Sequence, residues 1–122
     1  MDNERQLEQM EGFLKTDENF NTSILEASKI GGNNAYEFIK RNLSQIFTNK
    51  LASEYSWLGK KNKRVFRSLK LSQLLIAAGE IVNAMFTKKD IEEAIQKWLK
   101  RVKERLNAEQ NKLNVQRQLE DQ

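Results

Sequence analysis

The chain has 122 residues, 39% hydrophobic and 31% charged, with 21 Lys and Arg against 17 Asp and Glu and a net charge of +4. That length fits a single domain with one core. The absence of cysteine and histidine excludes a disulfide framework, thiolate metal sites and acid–base chemistry by imidazole, so no cofactor and no enzymatic activity are expected. There is no proline and only five glycines, which removes the usual punctuation of β-rich folds. The expectation is an all-α chain, a compact bundle of five to six helices.

Asp2 can cap a first helix whose Leu7, Met10, Phe13 and Leu14 follow the three-and-four spacing of one helical face. Asp17 can cap a second that carries Phe20, Ile24 and Ala27 and stops at Gly31-Gly32. Asn33 or Asn34 starts a third, with Tyr36, Phe38, Ile39, Leu43, Ile46 and Phe47 as its stripe, and Thr48 or Asn49 opens a short fourth around Leu51 and Ala52. After a basic loop, Leu69 and Leu71 lead into a fifth helix through Leu74, Leu75, Ala78, Ile81, Val82 and Met85. Thr87-Lys88-Lys89-Asp90 has the form of a capping box. It starts a sixth helix with Ile91, Ala94, Ile95, Trp98, Leu99, Val102 and Leu106 on one face and Lys97, Lys100, Arg101, Lys103 and Arg105 on the other.

The segment after Asn107 is polar and rich in glutamine. Leu106, Leu113 and a shifted Leu119 could extend the last helix into a thin seam, but three leucines are too few for a coiled coil. A frayed tail is the expectation. The most apolar stretch, Leu74 to Phe86, is interrupted by Glu80 and Asn83 and is too short to cross a bilayer. The N-terminus lacks the apolar region of a signal peptide. A soluble intracellular protein with no membrane partner and no small-molecule substrate is therefore expected. Acids such as Glu92 and Glu93 sit among lysines in helical context, where surface ion pairs are the ordinary reading.

Charge is unevenly placed. Residues 1–59 hold six cations against nine acids, whereas residues 60–106 hold thirteen against five, a net of +8. Between Trp57 and Lys70 there are six cations (Lys60, Lys61, Lys63, Arg64, Arg67 and Lys70) and no acid. Such one-sided charge points to a polyanionic partner, most often nucleic acid. The plainer alternative is a solvated loop that aids solubility. Trp57-Leu58 and Val65-Phe66 flank the run and would anchor its two ends in a hairpin-like connector.

The order of features from Glu11 to Leu106 resembles domain-of-unknown-function family 4806. The residues that carry the likeness are S-K-I-G-G at 28–32, I-F-T-N-K-L-A at 46–52, Y-S-W-L-G-K-K-N-K at 55–63, F-R-S-L-K-L at 66–71 and D-I-E-E-A-I-Q-K-W-L-K at 90–100. The chain departs from the pattern at Asn83–Phe86, where the family is expected to carry a proline. The same order is distantly similar to the BEN domain, an all-helical DNA-binding module of chromatin and transcription factors. That resemblance implies a nuclear protein binding double-stranded DNA. Phosphates would be gripped by Lys60, Lys61, Lys63, Arg64, Arg67 and Lys70, with a second contact from Lys97, Lys100 and Arg101. Arg64 and Arg67 are the better candidates to read a base edge, because a guanidinium can bind guanine bidentately. The expected division is an N-terminal amphipathic helix at 1–15, a BEN-like helical domain at 16–107 and a polar tail or frayed helix extension at 108–122. The alternative is a protein-interaction or homodimerisation module, with Trp57 and Leu113 as interface residues, tryptophan being common in hot spots.

Overall fold

The computed structural model describes residues 1–121, and among them the chain is all-α apart from one minimal strand pairing. The helices are α1 (Glu4–Phe13), α2 (Asp17–Ile30), α3 (Ala35–Ile46), α4 (Asn49–Ala52), α5 (Lys70–Val82), α6 (Lys88–Lys100) and α7 (Val102–Glu120). Side-chain caps account for four of the starts. Asn3, Asn34 and Thr48 accept from Gln6, Glu37 and Leu51 amides, and Thr87 with Asp90 forms the reciprocal capping box read from the sequence. The first cap is Asn3, not Asp2. The second helix starts after Thr16, whose side chain makes no capping bond. Gly31, at φ 65°, ends α2, a backbone angle that glycine adopts without steric cost.

α2 packs on α5 and α3 packs on α6, with α5 also lying against α6. Phe38, Ile39 and Leu43 of α3, Leu71 and Leu75 of α5, and Ile91 and Ile95 of α6 are fully buried between them. Each such side chain contributes about 1.5–3 kcal/mol relative to exposure. Trp98 is 1% exposed and belongs to this core.

Three features depart from the expected helix plan. α5 stops at Val82, so Met85, expected on its stripe, lies beyond it and is exposed, as is Ile81. The sixth stripe is not one continuous helix. The backbone leaves helical geometry at Arg101 (φ −89°, ψ 9°), so a seventh helix begins at Val102. That seventh helix runs through Glu120, so the segment expected to fray is helical, although its residues from Asn107 on are all exposed. Arg105 sets its direction. The Arg105 guanidinium lies 3.9 Å over the Trp98 ring, donates to the Trp98 carbonyl at 2.6 Å and to Asn49 Oδ1 at 2.7 Å. Burial pulls its pKa below the ordinary arginine value. One side chain thus joins α4, α6 and α7.

The basic loop is not a hairpin. Tyr55-Ser56 (β1) and Arg64-Val65 (β2) pair in parallel, Tyr55 opposite Arg64 and Ser56 opposite Val65. The Arg64, Phe66 and Arg67 amides donate to the Glu54, Ser56 and Trp57 carbonyls at 2.8, 2.9 and 3.1 Å. Of the four expected anchors only two are seated. Phe66 is fully buried and Trp57, half-buried, stacks on it at 6.5 Å, whereas Leu58 and Val65 are exposed.

α1 holds the loop's far end through two carboxylates one heptad apart. The Glu4 carboxylate pairs with the Arg64 guanidinium and accepts the Tyr55 hydroxyl at 2.7 Å. Burial, then the bond to Glu4, pushes the Tyr55 hydroxyl above its usual pKa. Glu11 accepts the Lys70 and Leu71 amides at 2.7 and 3.0 Å. α5 begins after Leu69, which has no capping side chain, so Glu11 supplies its N-terminal cap from another helix, where a negative charge also suits the macrodipole. Leu7, between these acids, and Leu14, just past the helix end, seat α1 in the core.

Two substitutions test this arrangement. Glu11→Ala should cost about 1 kcal/mol of stability, the usual loss for a helix cap, read as a lower urea midpoint with an unchanged slope. Gly59→Ala should cost a similar amount, about 1–2 kcal/mol. Gly59 sits at φ 79°, and a Cβ there would lie 2.8 Å from Val65 Cγ2 and 3.1 Å from the Lys63 carbonyl. The same urea titration checks it, with a null effect as the contrary result.

Candidate nucleic-acid interface

The loop between the paired strands must reverse direction within residues 57–63. Three residues with positive φ achieve this: Gly59 at 79°, Lys61 at 58° and Asn62 at 62°. The Lys63 amide closes a tight turn on the Lys60 carbonyl at 3.2 Å. With both central residues at positive φ, this matches the type I′ pattern. The Ser56 hydroxyl accepts the Lys60 amide at 2.8 Å and fixes the turn's approach. A non-glycine residue held at positive φ costs free energy and is seen where the surroundings impose it. Here the turn projects three lysines from one short arc.

Those lysines face the junction of α6 and α7 across a cleft of about 350 Å³. Lys60, Lys61 and Lys63 stand on one wall and Lys100 and Lys103 on the other, with Trp57, Leu58, Leu99 and Val102 among the apolar lining and no acid among the lining residues. Lys100 and Gln96 also line the adjoining surface, where Lys97, Arg101 and Glu93 lie. Glu93 is paired with Lys89 at 3.9 Å. The result is a strip of seven cations with one acid, itself partnered.

The expected site residues divide. Lys60, Lys61, Lys63 and Lys100 meet in the cleft, and Lys97 and Arg101 stand beside it. The Lys97 ammonium lies 4.6 Å and the Arg101 guanidinium 5.5 Å from the Tyr36 ring centroid, a cation–π arrangement that orders both on α3. Arg64, Arg67 and Lys70 do not line the cleft. Arg64, expected to read a base, is bound to Glu4 with Tyr55 alongside. Lys70 lies 6.0 Å from the Phe20 ring of α2. Of the two expected interface residues, Trp57 lines the cleft, and Leu113 is exposed on α7 near Val115 and Leu119. Lys103 was missed as a site residue. It stands three positions after Lys100, a spacing that puts the two on one helical face, and both line the cleft.

Lysine ammonium groups with no nearby carboxylate can neutralise phosphates or other fixed anions, but they do not offer the planar bidentate fork that selects a base edge. Among the described residues no group of His, Cys, Asp and Glu is placed to hold a metal ion, and no helix is long and apolar enough to cross a membrane.

No curated protein and no solved structure matches the chain. Residues 1–78 match the family described as Domain of unknown function (DUF4806). That span contains α1 to α4, the basic loop and most of α5. The opposite wall of the cleft on α6 and α7, with the 90–100 segment of the expected likeness, lies beyond it. With well over half its length in that match, the chain belongs to the Domain of unknown function (DUF4806) family.

Proposed function

We propose that the chain is a non-enzymatic nucleic-acid-binding module that grips double-stranded DNA by its phosphates, with a role in the nucleus at chromatin. The observation that carries this reading is the convergence of five lysines from two separate segments on one cleft with no acid in its lining. A solvated run would have no reason to meet a second cluster about forty residues away in sequence. The continuation through Lys97 and Arg101 lengthens the cationic strip in the way a phosphate backbone requires. The order of a basic loop followed by a basic terminal helix, which resembles the BEN domain, agrees with it.

A second reading is self-association through α7. It is favoured by the exposed Val115 and Leu119, which with Ala108 and Lys112 form a shallow, largely apolar stripe on the part of α7 whose residues are all exposed among the described residues. A mass in solution that stays at 14.3 kDa over a concentration series would remove the homodimer.

Duplex binding followed by fluorescence anisotropy should weaken with salt. With each of the five lysines engaging a phosphate, log K against log salt has a slope of about −4.5, at about −0.9 per contact. The triple change of Lys60, Lys61 and Lys63 to Gln should flatten that slope by about 2.7, while Lys70→Gln should leave it nearly unchanged. Equal effects per charge removed, with Lys70→Gln flattening the slope by a third as much as the triple change, would assign the affinity to net charge and not to the cleft. No binding at low salt would defeat the reading outright.

A further inference from the structure

The apolar floor of the cleft is unused by a ligand that offers only phosphates. Trp57 is backed in near-parallel stacking by the buried Phe66, with an interplanar angle of 30°. Leu58 beside it is 53% exposed, and Leu99 and Val102 line the cleft with them. The volume of about 350 Å³ falls in the range of small-molecule sites. A duplex is far too wide to enter and can only lie across the lysine rim. A single planar base with its flanking phosphates matches both parts, the ring against the floor and the anions on the rim.

We infer that this cleft takes one unpaired base of a single strand, or of a strand whose base has left the stack, with the adjacent phosphates held by Lys60, Lys61, Lys63, Lys100 and Lys103. This deepens the nucleic-acid reading and rests on it. Base–aromatic stacking contributes about 1–3 kcal/mol per base and tolerates any sequence, which suits a site whose cations are lysines. The rim supplies attraction at long range and the floor supplies the preference for a base. The chain therefore distinguishes strands with accessible bases from strands with equal charge and none.

The test compares three labelled probes by anisotropy on the intact chain at one salt concentration: a thymidine dodecamer, an abasic dodecamer with the same phosphates, and a duplex of equal length. The thymidine strand should bind about tenfold more tightly than the abasic strand. Trp57→Ala should bring it down to the abasic level without changing the salt slope. Because Trp57 packs on the core, Leu58→Ser serves as the second variant. Its side chain faces solvent, so it should lower thymidine affinity several-fold while the circular-dichroism melt stays in place. Equal affinity for the thymidine and abasic strands would overturn the inference, and accompanying duplex binding would leave the phosphate-gripping reading standing. If none of the three probes binds at low salt, both fail.

Discussion

The parallel pairing of Tyr55-Ser56 with Arg64-Val65 is the constraint on which the rest of the candidate site depends. Parallel strands are ordinarily joined by a crossover of a dozen residues or more, and here residues 57–63 make the return. So short a path closes only if the backbone turns back sharply more than once, which accounts for the positive φ at Gly59, Lys61 and Asn62. Once the path is forced, the directions of the lysines are forced with it. Phe66, entering the core immediately after the pairing and packing edge-on against Phe47 and Tyr55, anchors the turn to the bundle.

Holding like charges together opposes this geometry, but only weakly. Two ammonium groups about 8 Å apart in water repel by roughly 0.5 kcal/mol, and salt screens this further. A small surface repulsion is easily offset by the buried Phe66 and by the Glu4 and Glu11 contacts of α1. The acidic N-terminal half therefore does not neutralise the basic half across the cleft. It contacts the chain at Arg64 and at the start of α5, and among the described residues no acid lines the cleft with the five lysines. A surface ordered before its ligand arrives loses less conformational entropy on binding.

Local signals were legible in the sequence, and distant ones were not. Thr87-x-x-Asp90, Asn34 and Thr48 announce helix starts within a few residues, and the spacing of Ile91, Ile95 and Trp98 announces a core face. The partner of Arg64 is sixty positions away on α1, so nothing near Arg64 marks it as occupied. The cap on α5 is hidden in the same way, because Glu11 belongs to another helix. Arg101 looks like any helical cation, yet the backbone leaves helical geometry there, one turn before Arg105 meets Trp98 and Asn49. Parallel pairing left no trace either, since Tyr55-Ser56 and Arg64-Val65 are too short for an alternating pattern.

The fate of the individual cations sharpens what net charge alone conveys. Between residues 60 and 106 three of the four arginines are committed within the fold: Arg64 to Glu4, Arg101 to Tyr36 and Arg105 to Trp98 and Asn49. Lys88 and Lys89 pair with Glu92 and Glu93 at 3.8 and 3.9 Å. The cleft itself is lined by lysine alone among the basic residues. A guanidinium is planar, weakly hydrated and suited to stacking and bidentate contacts inside a structure, whereas an ammonium is a compact, strongly hydrated point charge. Within residues 60–106 three of the four arginines thus serve the geometry of the fold, while the cleft presents charge through lysines. A rim of that kind attracts a phosphate backbone without selecting a base edge, so any discrimination this surface exerts must come from the shape and apolar character of the floor beneath it.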